Sequence, residues 1–204
     1  MRQLSQICFG LILGWSAVLN AATPPATPEP KQAVQAATDK LLAKLVAVKS
    51  LYAESPGEFF LEIDQSLAPF VDFDGFSRSV MAKYYRRATD EQQLQFVETF
   101  RKGLIETYSR ALVEFDNQTV VVLDPSIDPQ RPDRASIGLE IHGANNRIFL
   151  VEYSLVLVDN EWLLRNVVIE GINIGLQFRS QFAASMRKNR NDIDAVIQTW
   201  SVDV

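Results

Sequence analysis

The residues best placed to do chemistry are Asp72 and Asp74, in the run Val71-Asp72-Phe73-Asp74-Gly75. Two carboxylates one residue apart offer hard oxygen ligands and can open a cation-binding loop. An EF-hand loop, however, needs further oxygen ligands and a bidentate Glu near its end, and these are missing. The competing role is a helix N-cap, one carboxylate accepting the free N–H groups of the turn that follows. The spacing favours the cap. Glu152 and Glu170 fall inside strand patterns, as solvent-facing residues or as polar groups at a cavity mouth. His142 is the only histidine, so no multi-histidine metal site is available, and its place beside a hairpin points to the surface. There is no G-x-G-x-x-G, P-loop, H-E-x-x-H or G-x-S-x-G. The single cysteine, Cys8, lies in an N-terminal apolar segment and offers no nucleophile to the rest of the chain.

That segment sets the compartment. Arg2 is its only charge, and the apolar run Ile7–Leu19 leads to the small residues Asn20-Ala21-Ala22-Thr23. Charge, apolar run and small residues in that order predict a secretory signal peptide over residues 1–21, cut after Ala21. The run is too short for a comfortable membrane span. Cys8 is too early, and followed by too much apolar chain, to be an acylated cysteine. The exported chain then has no thiol or disulfide and rests on its core alone. With a net charge of −5, or −6 once Arg2 is lost, and no long Lys/Arg stripe, a nucleic-acid partner is not expected. Arg86-Arg87 and Arg187-Lys188-Asn189-Arg190 are the densest basic groups. Both stand beside predicted helix ends, where basic side chains satisfy terminal carbonyls.

The elements that must position these residues follow from periodicity. Residues 22–30 form a Pro-rich lead, and residues 31–204 a single domain. Helical spacing predicts helices over Lys31–Leu51, Pro56–Val71 and Phe73–Arg87. A fourth opens on a Thr89/Gln92 capping box, with Val97, Phe100, Leu104, Tyr108, Ala111 and Phe115 along one stripe. Strands follow at Val120–Leu123, around Ile137–Ile141, at Arg147–Val158 and at Trp162–Glu170. The Asp- and Pro-rich run Asp124–Arg134 reads as a loop. Gly143-Ala144-Asn145-Asn146 and Asp159-Asn160 are hairpin turn signals. The third strand sets Phe149, Val151, Tyr153, Leu155 and Leu157 on one face. Helices over Ile174–Met186 and Asn191–Trp200 close the chain. Helices first and a meander second mean α+β, with an antiparallel sheet covered by helices on one face.

Several segments together resemble one family. Leu67-Ala68-Pro69-Phe70-Val71-Asp72-Phe73-Asp74 leads to Val80-Met81-Ala82-Lys83-Tyr84-Tyr85-Arg86-Arg87-Ala88-Thr89. Gln92, Phe96, Phe100-Arg101, Leu104 and Thr107-Tyr108 follow. Trp162, Val167-Val168-Ile169-Glu170-Gly171-Ile172-Asn173-Ile174 and Phe178-Arg179-Ser180-Gln181-Phe182 complete the set. In order and spacing these are similar to the MlaC, or toluene-tolerance, family of periplasmic phospholipid-binding proteins. Phe178 departs from the tyrosine expected there. The resemblance implies a monomeric, cofactor-free, non-enzymatic carrier, with a twisted sheet wrapped by helices around an apolar lipid cavity. It would move diacyl phospholipid between an outer-membrane lipoprotein complex and an inner-membrane ABC transporter with an MCE-domain subunit, supporting outer-membrane lipid asymmetry.

The expected lining is the strand face Phe149, Val151, Tyr153 and Leu155 opposite Tyr84, Phe100, Leu104 and Tyr108. Phe73, Val80, Val167, Ile169 and Ile172 are added to it. The same residues would serve equally well as a solid core. Two other classes compete with the carrier: a chaperone-like or protein-interaction module whose groove holds polypeptide, and a lipid-processing enzyme. Bound phospholipid, bound peptide, or free fatty acid and lysolipid in the purified protein would tell the three apart.

Overall fold

The structure is a computed structural model that describes residues 29–115, 118–143 and 147–202. The predicted signal peptide and most of the Pro-rich lead lie outside them, as do residues 144–146 of the expected hairpin turn.

Pro30, counted in the lead from sequence, is instead the first residue of helix α1 (Pro30–Val48). Its missing N–H is one that a first helical position leaves unpaired in any case. α1 buries Val34, Leu45 and Val48 and stops three residues short of the predicted Leu51. A single turn, α2 (Leu51–Glu54), precedes α3 (Pro56–Leu67), which buries Phe59 and Ile63. α3 ends before the predicted Val71. Pro69 cannot continue the hydrogen-bond ladder, and the chain turns extended. Asp72 N then donates to Leu164 O (2.9 Å), and Leu164 N to Phe70 O (2.7 Å).

α4 (Phe73–Met81) opens on Asp72, whose side chain accepts from Gly75 N at 2.8 Å, so the capping role holds. The predicted continuous helix to Arg87 breaks at Ala82, which has φ 51°. A 3-10 turn over Ala82–Arg87 replaces it and sets Tyr84 against Phe182, ring centroids 5.9 Å apart. α5 (Asp90–Val113) has the full capping box: Gln92 N donates to Thr89 Oγ1, and Thr89 N to Gln92 Oε1. Its buried positions are Phe96, Phe100, Ile105 and Ser109, whereas Ala111, placed on the inner stripe from sequence, is exposed. Over this length the 3.6-residue repeat rotates a straight stripe out of the interface.

Five strands follow in meander order, all antiparallel: β1 (Thr119–Asp128), β2 (Arg131–His142), β3 (Ile148–Val158), β4 (Glu161–Ile169) and β5 (Ile172–Asn173). The expected loop Asp124–Arg134 is a hairpin, with β1 running on to Asp128 and β2 starting at Arg131. Its prolines occupy the places strands tolerate them. Pro125 is on an edge strand beside a register shift, Pro129 is in the turn, and Pro132 falls in an irregular stretch of pairing. Asp159 and Asn160 turn the chain between β3 and β4 with φ of 48° and 67°, the left-handed pair that a tight hairpin requires.

α6 (Ile174–Lys188) and α7 (Ile193–Gln198) are capped by Asn173 and Asp192. α7 is shorter than the predicted Asn191–Trp200 because Arg190 and Asn191 take left-handed φ. Among the described residues no helix is long and apolar enough to cross a membrane.

The buried apolar residues gather in three clusters. The first joins α4 to α7 through Phe76, Phe96, Phe100, Phe178, Phe182 and Met186. The second sets the sheet's inner face against Val34 of α1. The third joins α1 and α3 through Leu45, Val48, Phe59 and Ile63. A globular unit usually builds one contiguous core, so the borders between these clusters draw attention.

Candidate functional site

The inner face of the sheet is set by strand alternation. On β3, Val151 lies opposite Leu139 and Ile169, Tyr153 opposite Ile137 and Val167, and Leu155 opposite Ala135 and Leu164. At the Leu155 end the face is closed: Leu155, Ile137 and Leu164 are buried together with Trp162. Further along, Val151, Tyr153, Val167 and Ile169 keep part of their surface accessible, although β3 and β4 have strands on both sides.

Two residues of α5 are covered to a similar degree. Leu104 and Tyr108 on α5 pack against the aromatic cluster and stay only half-buried. Val167 packs against both clusters and so marks where they meet. Burial pushes the Tyr153 and Tyr108 hydroxyls above the usual tyrosine value. Tyr153 packs against the sheet cluster and yet keeps part of its surface accessible. Phe70 is its tilted neighbour, at 6.3 Å between centroids.

The sequence-predicted lining thus divides. Val151, Tyr153, Val167, Ile169, Leu104 and Tyr108 fall on the accessible border. Val80, Tyr84 and Phe100 lie inside solid helical packing, at 1 %, 5 % and 0 % exposure. Leu155 is in the closed end of the sheet, and Phe73 is buried under the Arg101 guanidinium, 4.9 Å from its ring centre. Phe149 is half-buried beneath Arg147 at 4.3 Å. Ile172 is exposed, because β5 is two residues long and nothing covers its outer end. A turn residue on so short a strand has no neighbour to hide against.

Chemically the border is an apolar surface with two neutral hydroxyls. The acidic residues singled out from sequence serve elsewhere. Asp72 caps α4 and accepts Arg165 Nε at 2.7 Å and also Arg165 Nη2. Gly75 permits this pair: a Cβ there would lie 2.3 Å from Asp72 Oδ2 and 2.4 Å from Arg165 Nε. Asp74 is exposed. Glu170 closes the end of the sheet by accepting Leu150 N at 2.6 Å, and His142 meets Glu140 Oε2 at 3.0 Å. Among the described residues no three His, Cys, Asp or Glu gather as a metal site. Phe96 and Arg101 entered the sequence analysis only through the family resemblance; the structure puts Phe96 in the aromatic core and Arg101 in a bidentate pair with Asp64, both N···O distances 2.7 Å, which ties α5 to α3. Only Phe96 left a local signal, one position beside Val97 on the helical repeat.

Known proteins share this architecture. The sequence profile described as MlaC protein matches residues 35–202. A toluene tolerance protein, ttg2D of Pseudomonas putida, is 41 % identical over 194 residues, spanning 92 % of this chain and 88 % of that protein. The intermembrane phospholipid transport system binding protein MlaC of Haemophilus influenzae is 27 % identical over 107 residues, 52 % of this chain and 50 % of that one. A phospholipid-binding protein from Ralstonia solanacearum, solved in complex with a phospholipid, superposes with a TM-score of 0.76 at 24 % identity. That match covers 84 % of this chain and 94 % of the other, and shows the same fold. With its α+β meander and a profile match over most of its length, the chain belongs to the MlaC family.

Proposed function

We propose that this chain is a periplasmic phospholipid carrier, with acyl chains seated at the apolar border between the sheet's inner face and α5. The observation that carries the reading is the failure of the clusters to merge, which leaves Val151, Tyr153, Val167, Ile169, Leu104 and Tyr108 partly accessible. Transferring a methylene from water to an apolar surface is worth about 0.8 kcal/mol, so one sixteen-carbon chain contributes on the order of 12 kcal/mol. An apolar seat therefore supplies most of the affinity and needs few polar contacts. The family membership and the relatives named for phospholipid binding and transport support the same reading.

On this reading residues 1–21 are a cleaved signal peptide, residues 22–30 a lead whose last residue, Pro30, opens α1, and residues 31–204 one phospholipid-binding domain. The carrier works as a monomer without catalysis. It exchanges diacyl phospholipid with an outer-membrane lipoprotein complex and with an inner-membrane ABC transporter bearing an MCE-domain subunit, and so supports outer-membrane lipid asymmetry. Solvent extraction and mass spectrometry of protein purified from the periplasm test it. Co-purified diacyl phospholipid is expected. Bound peptide would favour the chaperone-like module, and lysolipid accumulating with time would favour an enzyme.

A further inference from the structure

Between the β1–β2 hairpin, α4 and α6 lies a cleft of about 520 Å³, whose base reaches the buried Phe76, Ala135 and Leu155. Strand alternation puts Ser136, Ser154 and Asn166 in one cross-strand row, one residue out of step with Ile137, Tyr153 and Val167. They therefore point away from the apolar border and form the cleft's floor. Its walls are the β1–β2 hairpin tip, the start of α6 and one side of α4, and they bring Arg131, Arg134, Arg165 and Arg179 to one space. Asp128 is the only carboxylate among the lining residues, in a chain whose net charge is −5.

The arginines are not equally committed. Arg165 gives Nε and Nη2 to Asp72, which fixes its plane; a guanidinium has five N–H donors, so its remaining ones stay unspent. Arg131 is held by Asp128 at 2.8 Å, and Arg134 approaches Asp133 at 3.3 Å. Arg179 has no carboxylate within ion-pair distance among the described residues. One locked guanidinium, one uncommitted one and a floor of hydroxyls and an amide suit a tetrahedral oxyanion, whose edges match the guanidinium fork. The cleft has the size of a small-ligand site.

We infer that this cleft binds a phosphate group, free or carried on a lipid head group, at a site separate from the acyl seat. It does not depend on the carrier reading, because the polar floor of Ser136, Ser154 and Asn166 is out of step with Tyr153 and Val167, and none of the residues proposed to seat acyl chains lines the cleft.

The test uses the full exported chain and its Arg134→Ala/Arg179→Ala double variant. Inorganic phosphate is titrated against backbone amide signals, and vesicles of phosphatidylglycerol or of phosphatidylcholine are floated with the protein. For a free-phosphate site, phosphate shifts the amides of Ser136, Ser154 and Asn166, and the double variant binds at least ~10-fold more weakly. For a head-group site, free phosphate is silent, phosphatidylglycerol vesicles retain the protein, phosphatidylcholine vesicles do not, and the variant loses retention. Either result supports the inference. No response to any probe, or an equal response from the variant, overturns it. Arg179 is exposed and Arg134 is half-buried and paired only with the exposed Asp133, so the variant should melt with the wild type and co-purify with the same amount of acyl lipid. A variant that keeps the anion response and loses lipid would contradict the separation of the sites.

Discussion

The aromatic cluster between α4 and α7 and the border beneath β3 and β4 are built from the same kinds of residue and end in different states. In the first, Phe96 packs on Phe100 at 5.7 Å, on Phe182 at 4.9 Å and on Trp200 at 5.2 Å, and the phenylalanines there are at most 3 % exposed. In the second, valine, isoleucine and tyrosine are left half-covered. Both regions are apolar, so hydrophobicity does not distinguish them. What differs is whether side chains from a facing element reach in to close the space. Interiors normally pack like organic crystals, and a border that does not close is one a ligand can complete. The closed cluster also accounts for Phe178, where family resemblance leads one to expect tyrosine. Phe178 is 1 % exposed between Phe100 and Trp200, where a hydroxyl would be buried among aromatic rings.

If the comparison is right, the two regions respond to substitution in opposite ways. The largest effect belongs to the closed cluster. Phe96→Ala should cost about 3–5 kcal/mol of stability, read by urea denaturation of lipid-free protein. A loss below about 1 kcal/mol would mean the cluster is not the scaffold. Next comes Gly75→Ala, which drives a methyl into the Asp72–Arg165 pair. Disturbing this half-buried pair and its cap should cost about 1–3 kcal/mol, and adding Asp72→Asn should cost little more, since both changes strike one interaction.

The border should tolerate what the core does not. Val151→Trp adds an indole where acyl chain is proposed to lie. Stability of stripped protein should stay within about 1 kcal/mol of wild type while co-purified lipid phosphate falls several-fold. Overpacking a solid core would instead cost about 1–3 kcal/mol. Stripping matters because bound ligand itself raises the melting point. The smallest effect concerns pH. Tyr108 and Tyr153 are raised in the folded state by burial. Below the ordinary tyrosine pKa of about 10 both states are neutral and these groups add no pH dependence. Above it the unfolded chain releases its protons first, and stability falls as pH rises. Tyr108→Phe/Tyr153→Phe should flatten that alkaline decline, measured by denaturation between about pH 9 and 11; an unchanged slope would place the titration elsewhere.

Much of the architecture could be read from the sequence because its signals are local. Thr89 with Gln92 named the start of α5, Asp159-Asn160 named a hairpin, and alternation on β3 named the inner face. The misreadings arise where a long-range partner decides. Asp124–Arg134 carries the composition of a loop and is a strand pair because its prolines find an edge and a turn. Phe73–Arg87 carries one helical period and breaks at Ala82. Burial was half legible for a related reason: periodicity reports which residues face inward and is blind to how completely their neighbours cover them. Val80, Tyr84 and Phe100 are buried, whereas Val151 and Tyr153 pack against the sheet cluster and stay partly accessible. The arginine cleft left no local mark, since its members come from β2, β4 and α6.

The central claim is the position of the acyl chains, and photo-crosslinking tests it directly. Stripped protein is loaded with a diacyl phospholipid carrying a diazirine on one acyl chain, irradiated, digested and mapped by mass spectrometry. The account predicts labels on β3 at residues 151–153, on β4 at 167–169 and on α5 at 104–108, with Phe96, Phe178 and Phe182 unlabelled. Labels concentrated in the aromatic cluster, or around Ser136 and Ser154, would contradict it.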